Sequence, residues 1–137
     1  MNTVKRRRVA IVAVLVAVLV AVLGLSWFGL KQYDCQQRNA AFGRQIEAIK
    51  QDAHAQIKRG TKKSEVARFF AEHSIPFSIL GSEAFGTPEA IGTLSTSGCA
   101  PFGCGSDAAV IRVHVKLDEA GAATGEAKVG GIYTNCL

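Results

Sequence analysis

The stretch Val9 to Leu30, VAIVAVLVAVLVAVLGLSWFGL, is uncharged throughout and follows four consecutive cations, Lys5, Arg6, Arg7 and Arg8. As a helix its 22 residues extend about 33 Å, enough for a hydrocarbon core of about 30 Å. The chain therefore reads as tethered to a membrane through residues 9–30. Residues 31–137 remain for one small domain with a single core. Basic residues beside a span stay cytoplasmic, so residues 1–8 are predicted to be a cytoplasmic tail and the domain to be translocated. The expected location is the bacterial inner membrane, single-pass, with the C-terminal domain in the periplasm.

A cleaved signal peptide has a shorter apolar region and a small-x-small site, which Gly24-Leu25-Ser26 supplies. The apolar run nevertheless continues through Trp27, Phe28 and Leu30, and Trp27 and Tyr33 suit an interfacial aromatic belt. An uncleaved signal anchor is the expectation. Gln32-Tyr33-Asp34 before Cys35 lacks the small apolar residues of a lipoprotein site. Within the span Ala13, Ala17, Ala21 and Gly24 share one face. Small residues so placed let two helices approach closely, an opening for a homo-oligomer, although alanine also simply fills apolar helices.

The net charge of +5 is mostly a topology signal, because the tail to Arg8 carries four cations and no acid. Residues 31–73 hold nine basic and five acidic side chains, residues 74–137 three and six. All four cysteines, Cys35, Cys99, Cys104 and Cys136, lie beyond the anchor. In an oxidising compartment an even count favours two disulfides. One arrangement closes a small ring between Cys99 and Cys104 and joins Cys35 to Cys136; pairing of Cys136 with Cys104 or with Cys99 is nearly as plausible.

From Lys31 to Lys58 the chain has no proline, and Phe42, Ile46, Ile49, Ala53 and Ile57 recur at helical spacing. Gly60 is placed to stop that helix and Thr61 to cap the next, with Glu65 near its positive end. The second helix is expected to run to about His73, burying Val66, Phe69 and Phe70, before Pro76 forbids continuation. After Ser74 short apolar runs separated by Gly, Ser, Thr and Pro read as strands. Ile75–Leu80 and Ile91–Ser95 are the weaker candidates. Ala109–Leu117 is the strongest, with Ala109, Ile111, Val113, Val115 and Leu117 facing one way and Arg112, His114 and Lys116 the other. Residues 118–126 read as a hairpin loop and Ala127–Thr134 as the last strand, with Gly130 and Gly131 marking a bulge. The predicted fold is α+β: an N-terminal transmembrane helix, then a two-helix pair packed on a three- or four-stranded antiparallel sheet.

No catalytic set emerges. His54, His73 and His114 are scattered without metal-type spacing, and neither a Gly-x-Ser-x-Gly nor a phosphate-cradling Gly-Lys-Ser/Thr loop occurs. Cys99-x4-Cys104 is not the Cys-x-x-Cys of a thiol oxidoreductase. No cofactor and no metal are expected. Lys58, Arg59, Lys62 and Lys63 cluster at the turn between the helices, a contact patch for an acidic partner or head groups, or a solvated corner. Nucleic acid is not the expected partner, since basic and aromatic residues are not interleaved.

At Gly60-Thr61-Lys62-Lys63-Ser64-Glu65-Val66 the chain resembles the start of helix two in the outer-membrane assembly lipoproteins of the BamE (SmpA/OmlA) family. The order of elements from about Gln45 to Thr134 is similar too. The resemblance implies two helices followed by a sheet, and a habit of binding other envelope proteins. The expected function is thus a membrane-anchored, non-enzymatic cell-envelope protein whose periplasmic domain binds another envelope protein. Its contact surface is expected on the open sheet face or in the Ser97 to Asp107 loop, with Pro101, Phe102 and Asp107. The alternatives are a pilin-like structural subunit, which lacks here the Gly-Phe site and following Glu, and a small periplasmic redox or hydrolytic enzyme.

Overall fold

A computed structural model describes residues 2–81 and 87–136, with side chains described from residue 11 onward. The side chains of the basic cluster at residues 5–8 lie outside that set. The protein is α+β, with helices α1 (Asn2–Gln56) and α2 (Lys63–Glu72) and strands β1 (Phe77–Leu80), β2 (Glu89–Ser97), β3 (Ala108–Lys116) and β4 (Lys128–Tyr133). Two compact units divide the chain, Met1–Gln37 and Arg38–Leu137.

In the first unit α1 carries an apolar segment of mean hydropathy 2.8, long and apolar enough to cross a membrane. Its side chains from Ile11 to Asp34 are exposed, Ala13, Ala17 and Ala21 included. Toward the end of the apolar run the Lys31 ammonium stands 5.6 Å from the centre of the Trp27 ring, a cation–π distance. The apolar segment and the amphipathic segment after it, distinguished in the sequence by composition, belong to one helical element. No proline or glycine pair interrupts the backbone hydrogen bonding between Leu30 and Gln56.

In the second unit the sheet is fully antiparallel in the order β1-β2-β3-β4. Four strands form, and β3 shows the predicted alternation: Ala109, Ile111, Val113 and Val115 are buried, as is Leu117 just beyond it. They share one cluster with Phe42, Ile49, Ala53 and Ile57, and with Val66, Phe69 and Phe70 of α2.

Two turns differ from expectation. Thr61 does not cap α2; Lys62 does, its backbone N–H donating to Glu65 Oε2 at 3.0 Å. Thr61 Oγ1 is already occupied, accepting the Lys58 N–H at 2.9 Å and so closing the end of α1. Gly60, at φ +90°, makes the reversal possible, and its N–H bonds Ala123 O at 2.7 Å. At the other end of α2, Ser74 N–H reaches Ala71 O and Ile75 N–H reaches Phe70 O, the paired bonds of a Schellman ending. Ser74 takes the left-handed position at φ 52° that glycine usually fills.

Gly130 and Gly131 mark no bulge: Arg112 opposes Gly130 and Ile111 opposes Gly131 in unbroken register. Close approach is the reason for Gly131. A Cβ there would stand 2.6 Å from Phe42 Cζ, and one at Gly92 would stand 2.7 Å from Phe70 Cδ1, far inside van der Waals contact.

Candidate functional site

The connection from β2 to β3, residues 98–107, is short, cysteine-flanked and braced from three directions. Its first brace is Arg38, whose Nη1 donates to Asp107 Oδ2 at 2.7 Å and to Gly98 O at 3.2 Å. Asp107 Oδ1 accepts the Ala100 N–H at 2.9 Å, so one carboxylate ties the end of the loop to its beginning. The second brace is Asn39, whose Oδ1 accepts from Cys99 N–H at 2.8 Å and from Tyr133 Oη at 2.6 Å. Tyr133 is held in turn by its ring against Phe42, 5.7 Å between centroids. The third is the Cys104–Cys136 disulfide, which fastens the loop to the chain after β4. Beside it Gly105 N–H donates to Asn135 O at 2.7 Å.

The small ring between Cys99 and Cys104 does not form. Cys104 and Cys136 oppose each other as an antiparallel bridge pair, Cα to Cα 4.0 Å, so Cys104 meets Cys136. Each of the four cysteines is disulfide-bonded and none is free.

At the loop's tip Pro101, Phe102 and Gly103 are exposed, and Phe102 is 111% exposed, the most solvent-accessible large apolar side chain described. Asp107 is a half-buried brace instead. The Ala100 N–H and then the Arg38 guanidinium hold its carboxyl below the ordinary carboxylate value of 3.8. Because the folded state depresses this pKa, the stabilisation is present above the unfolded value and is lost as pH falls through the folded one. We expect the Ala100 amide proton resonance to titrate with a midpoint below 3.8, and Asp107→Asn to abolish the titration. A midpoint at or above the ordinary value would disprove the brace.

Lys58, Arg59, Lys62 and Lys63 are all exposed, and none has an ion pair among the described residues. Arg59 Nε donates to Thr124 O at 3.2 Å, and the Lys63 stem lies against Gly121, so this corner rests on the hairpin loop. Each histidine has one carboxylate neighbour: His54 with Glu126 at 3.3 Å, His73 with Asp52 at 3.5 Å, His114 with Glu89 at 3.2 Å. Among the described residues no group of three or more His, Cys, Asp and Glu side chains is placed to hold a metal ion.

The sequence pointed to the loop through its cysteines but not to Arg38, Asn39 or Tyr133. Asn39 and Tyr133 are 94 positions apart, and nothing local marks either as part of a loop. No family model, no curated protein and no solved structure matches the chain.

Proposed function

We propose that this chain is a non-enzymatic protein of the bacterial cell envelope, anchored in the inner membrane, whose periplasmic domain docks another envelope protein. The exposure of Phe102 at the tip of a braced loop carries the reading. Aromatics are enriched at the buried centres of protein interfaces, where a single ring can act as the anchor. A loop ordered before binding loses less conformational entropy on docking. In this reading the helix pair covers the inward face of the sheet, leaving the loop and the other face for the partner. The resemblance to the BamE family at Gly60 to Val66 supports the same class of function.

Replacing Phe102 with a photoreactive phenylalanine analogue in cells is expected to give a defined cross-link to one envelope protein, absent when the analogue replaces Glu119. Phe102→Ala should weaken that association by a factor of about 30, the loss typical of an interface anchor of about 2 kcal/mol. No cross-link from position 102 in intact cells would sink the reading.

A further inference from the structure

Residues 74–137 contain three basic side chains, Arg112, Lys116 and Lys128. All three stand on the same face of the sheet. Arg112 and Lys116 alternate with the buried residues of β3, and Lys128 of β4 is the register partner of His114, midway between them. Residues opposite one another on neighbouring strands project to the same side, so the cations surround His114 on the face turned away from the core.

Two carboxylates line this region, Glu89, which is the β2 register partner of Lys116, and Glu126, and each has a histidine nitrogen as its contact. Glu89 lies with His114 and Glu126 with His54, whereas Arg112, Lys116 and Lys128 have no ion pair among the described residues. Two shallow hollows meet there. One of about 310 Å³ is lined by Glu89, His114, Lys116, Glu126 and Lys128 among others. The second, of about 280 Å³, lies between Arg112, Lys128, Gly130 and Ile132. Gly130 is the strand partner of Arg112 and has no side chain, which opens the notch beside the guanidinium.

The same face changes character along β3. Toward the 98–107 loop the row continues through Val110 and Ala108, with Ile132 opposite Val110 and 48% exposed. The surface thus runs from an aliphatic patch at the loop end of β3 to cations without ion pairs among the described residues.

We infer that this face docks an acidic polypeptide segment of the partner, its carboxylates over Arg112, Lys116 and Lys128 and its apolar end over Val110 and Ile132. The inference rests on the protein-docking reading above and deepens it by naming the partner's chemistry. Side chains two apart on an extended strand are about 7 Å apart, so alternate acidic residues follow the pitch of the β3 row. Arg112 and Lys116 stand diagonal to Lys128 across the β3–β4 pair, and an incoming carboxylate row offsets the repulsion among the three. An anionic bilayer is the weaker fit, since basic head-group sites gather four to eight cations. Single-stranded nucleic acid wants stacking aromatics, and this face has none among the described residues.

The test uses the full-length protein in an uncharged detergent and fluorescence anisotropy of a labelled peptide alternating Glu and Val. Its Gln and Val counterpart should bind about tenfold more weakly, and R112Q/K128Q should weaken the Glu peptide by about tenfold. Raising salt to about 0.5 M should weaken binding further, because exposed charges are screened. The reversed variant R112E/K128E should instead bind a Lys and Val peptide, which guards against loss of folding as the explanation.

Equal binding of the Glu and Gln peptides, or no effect of R112Q/K128Q, overturns the inference. So does displacement of the peptide by phosphatidylglycerol in the micelle, which makes lipid the occupant. If these fail while position 102 still cross-links to an envelope protein, the acidic segment falls and the docking reading stands. If the peptide results hold without that cross-link, the face recognises acidic segments and the role given to Phe102 falls.

Discussion

Phe70→Ala is expected to destabilise the domain by about 3–5 kcal/mol, the range for removing a fully buried aromatic ring. Phe70 is 0% exposed, stacks on Phe77 at 4.6 Å and meets Phe69 edge-on at 5.7 Å. The strand residue beneath it is Gly92, which has no side chain to move into the vacated space. Phe70 also provides the carbonyl that accepts Ile75 N–H at the end of α2. That helix is ten residues long, and a helix shorter than about 12 residues is marginal without tertiary contacts. Losing the ring therefore removes one of the three buried side chains, Val66, Phe69 and Phe70, that hold α2 to the core. Against a total stability of about 5–15 kcal/mol the loss is about a fifth or more.

Trp27, the protein's single tryptophan, lies in the first unit, so its fluorescence does not report on this core. Hydrogen exchange of the Ile111 to Val115 amides does, and should accelerate more than about a hundredfold, given tenfold per 1.4 kcal/mol. Phe77→Ala supplies the comparison. Phe77 is 38% exposed and should cost much less. Equal effects from the two would mean that burial does not set the energy at this end of the sheet.

What could be read in advance follows from how local each cause is. The alternation of β3 and the stripe Val66, Phe69, Phe70 were legible because a period of two or of 3.6 is written in neighbouring residues. The cap of α2 was not. Thr61 and Lys62 are adjacent, and the choice turned on whether the Thr61 hydroxyl was already accepting the Lys58 N–H. Gly131 resembles a bulge until Phe42 and Ile46 are seen beside it, a fact about α1 and not about β4.

The candidate site divides the same way. Cysteine flanks and proline marked the loop, and with it the exposed Phe102. Asp107 reads as a contact residue only as part of that loop. Its partner Arg38 is 69 positions away, and only the fold brings that charge to it. On the sheet, Arg112, His114 and Lys116 formed a visible row, but Lys128 joins them through the β3–β4 register, which one residue of slip would reverse.

Replacing Cys104 and Cys136 together with Ser is expected to destabilise the domain by about 3.5–4 kcal/mol, through the unfolded chain more than through lost contacts. The bridge spans a sequence separation of 32, enclosing β3, the hairpin loop and β4. Closing a loop of that length in the denatured ensemble removes about 12 cal/mol/K of chain entropy, which the substituted protein regains on unfolding. The native loop keeps its other braces: Arg38 on Asp107, Asp107 on Ala100, and Asn39 on Cys99. The two origins of the loss are separable in guanidinium unfolding of the full-length protein followed by near-ultraviolet circular dichroism. A lost native contact lowers the midpoint at constant m, because m follows the surface exposed on unfolding. A removed cross-link lowers the midpoint and raises m, because the denatured chain expands and exposes more surface. A fall in midpoint with m unchanged would place the bridge's contribution in the native loop, and Phe102 would then lose its fixed presentation along with the domain's stability.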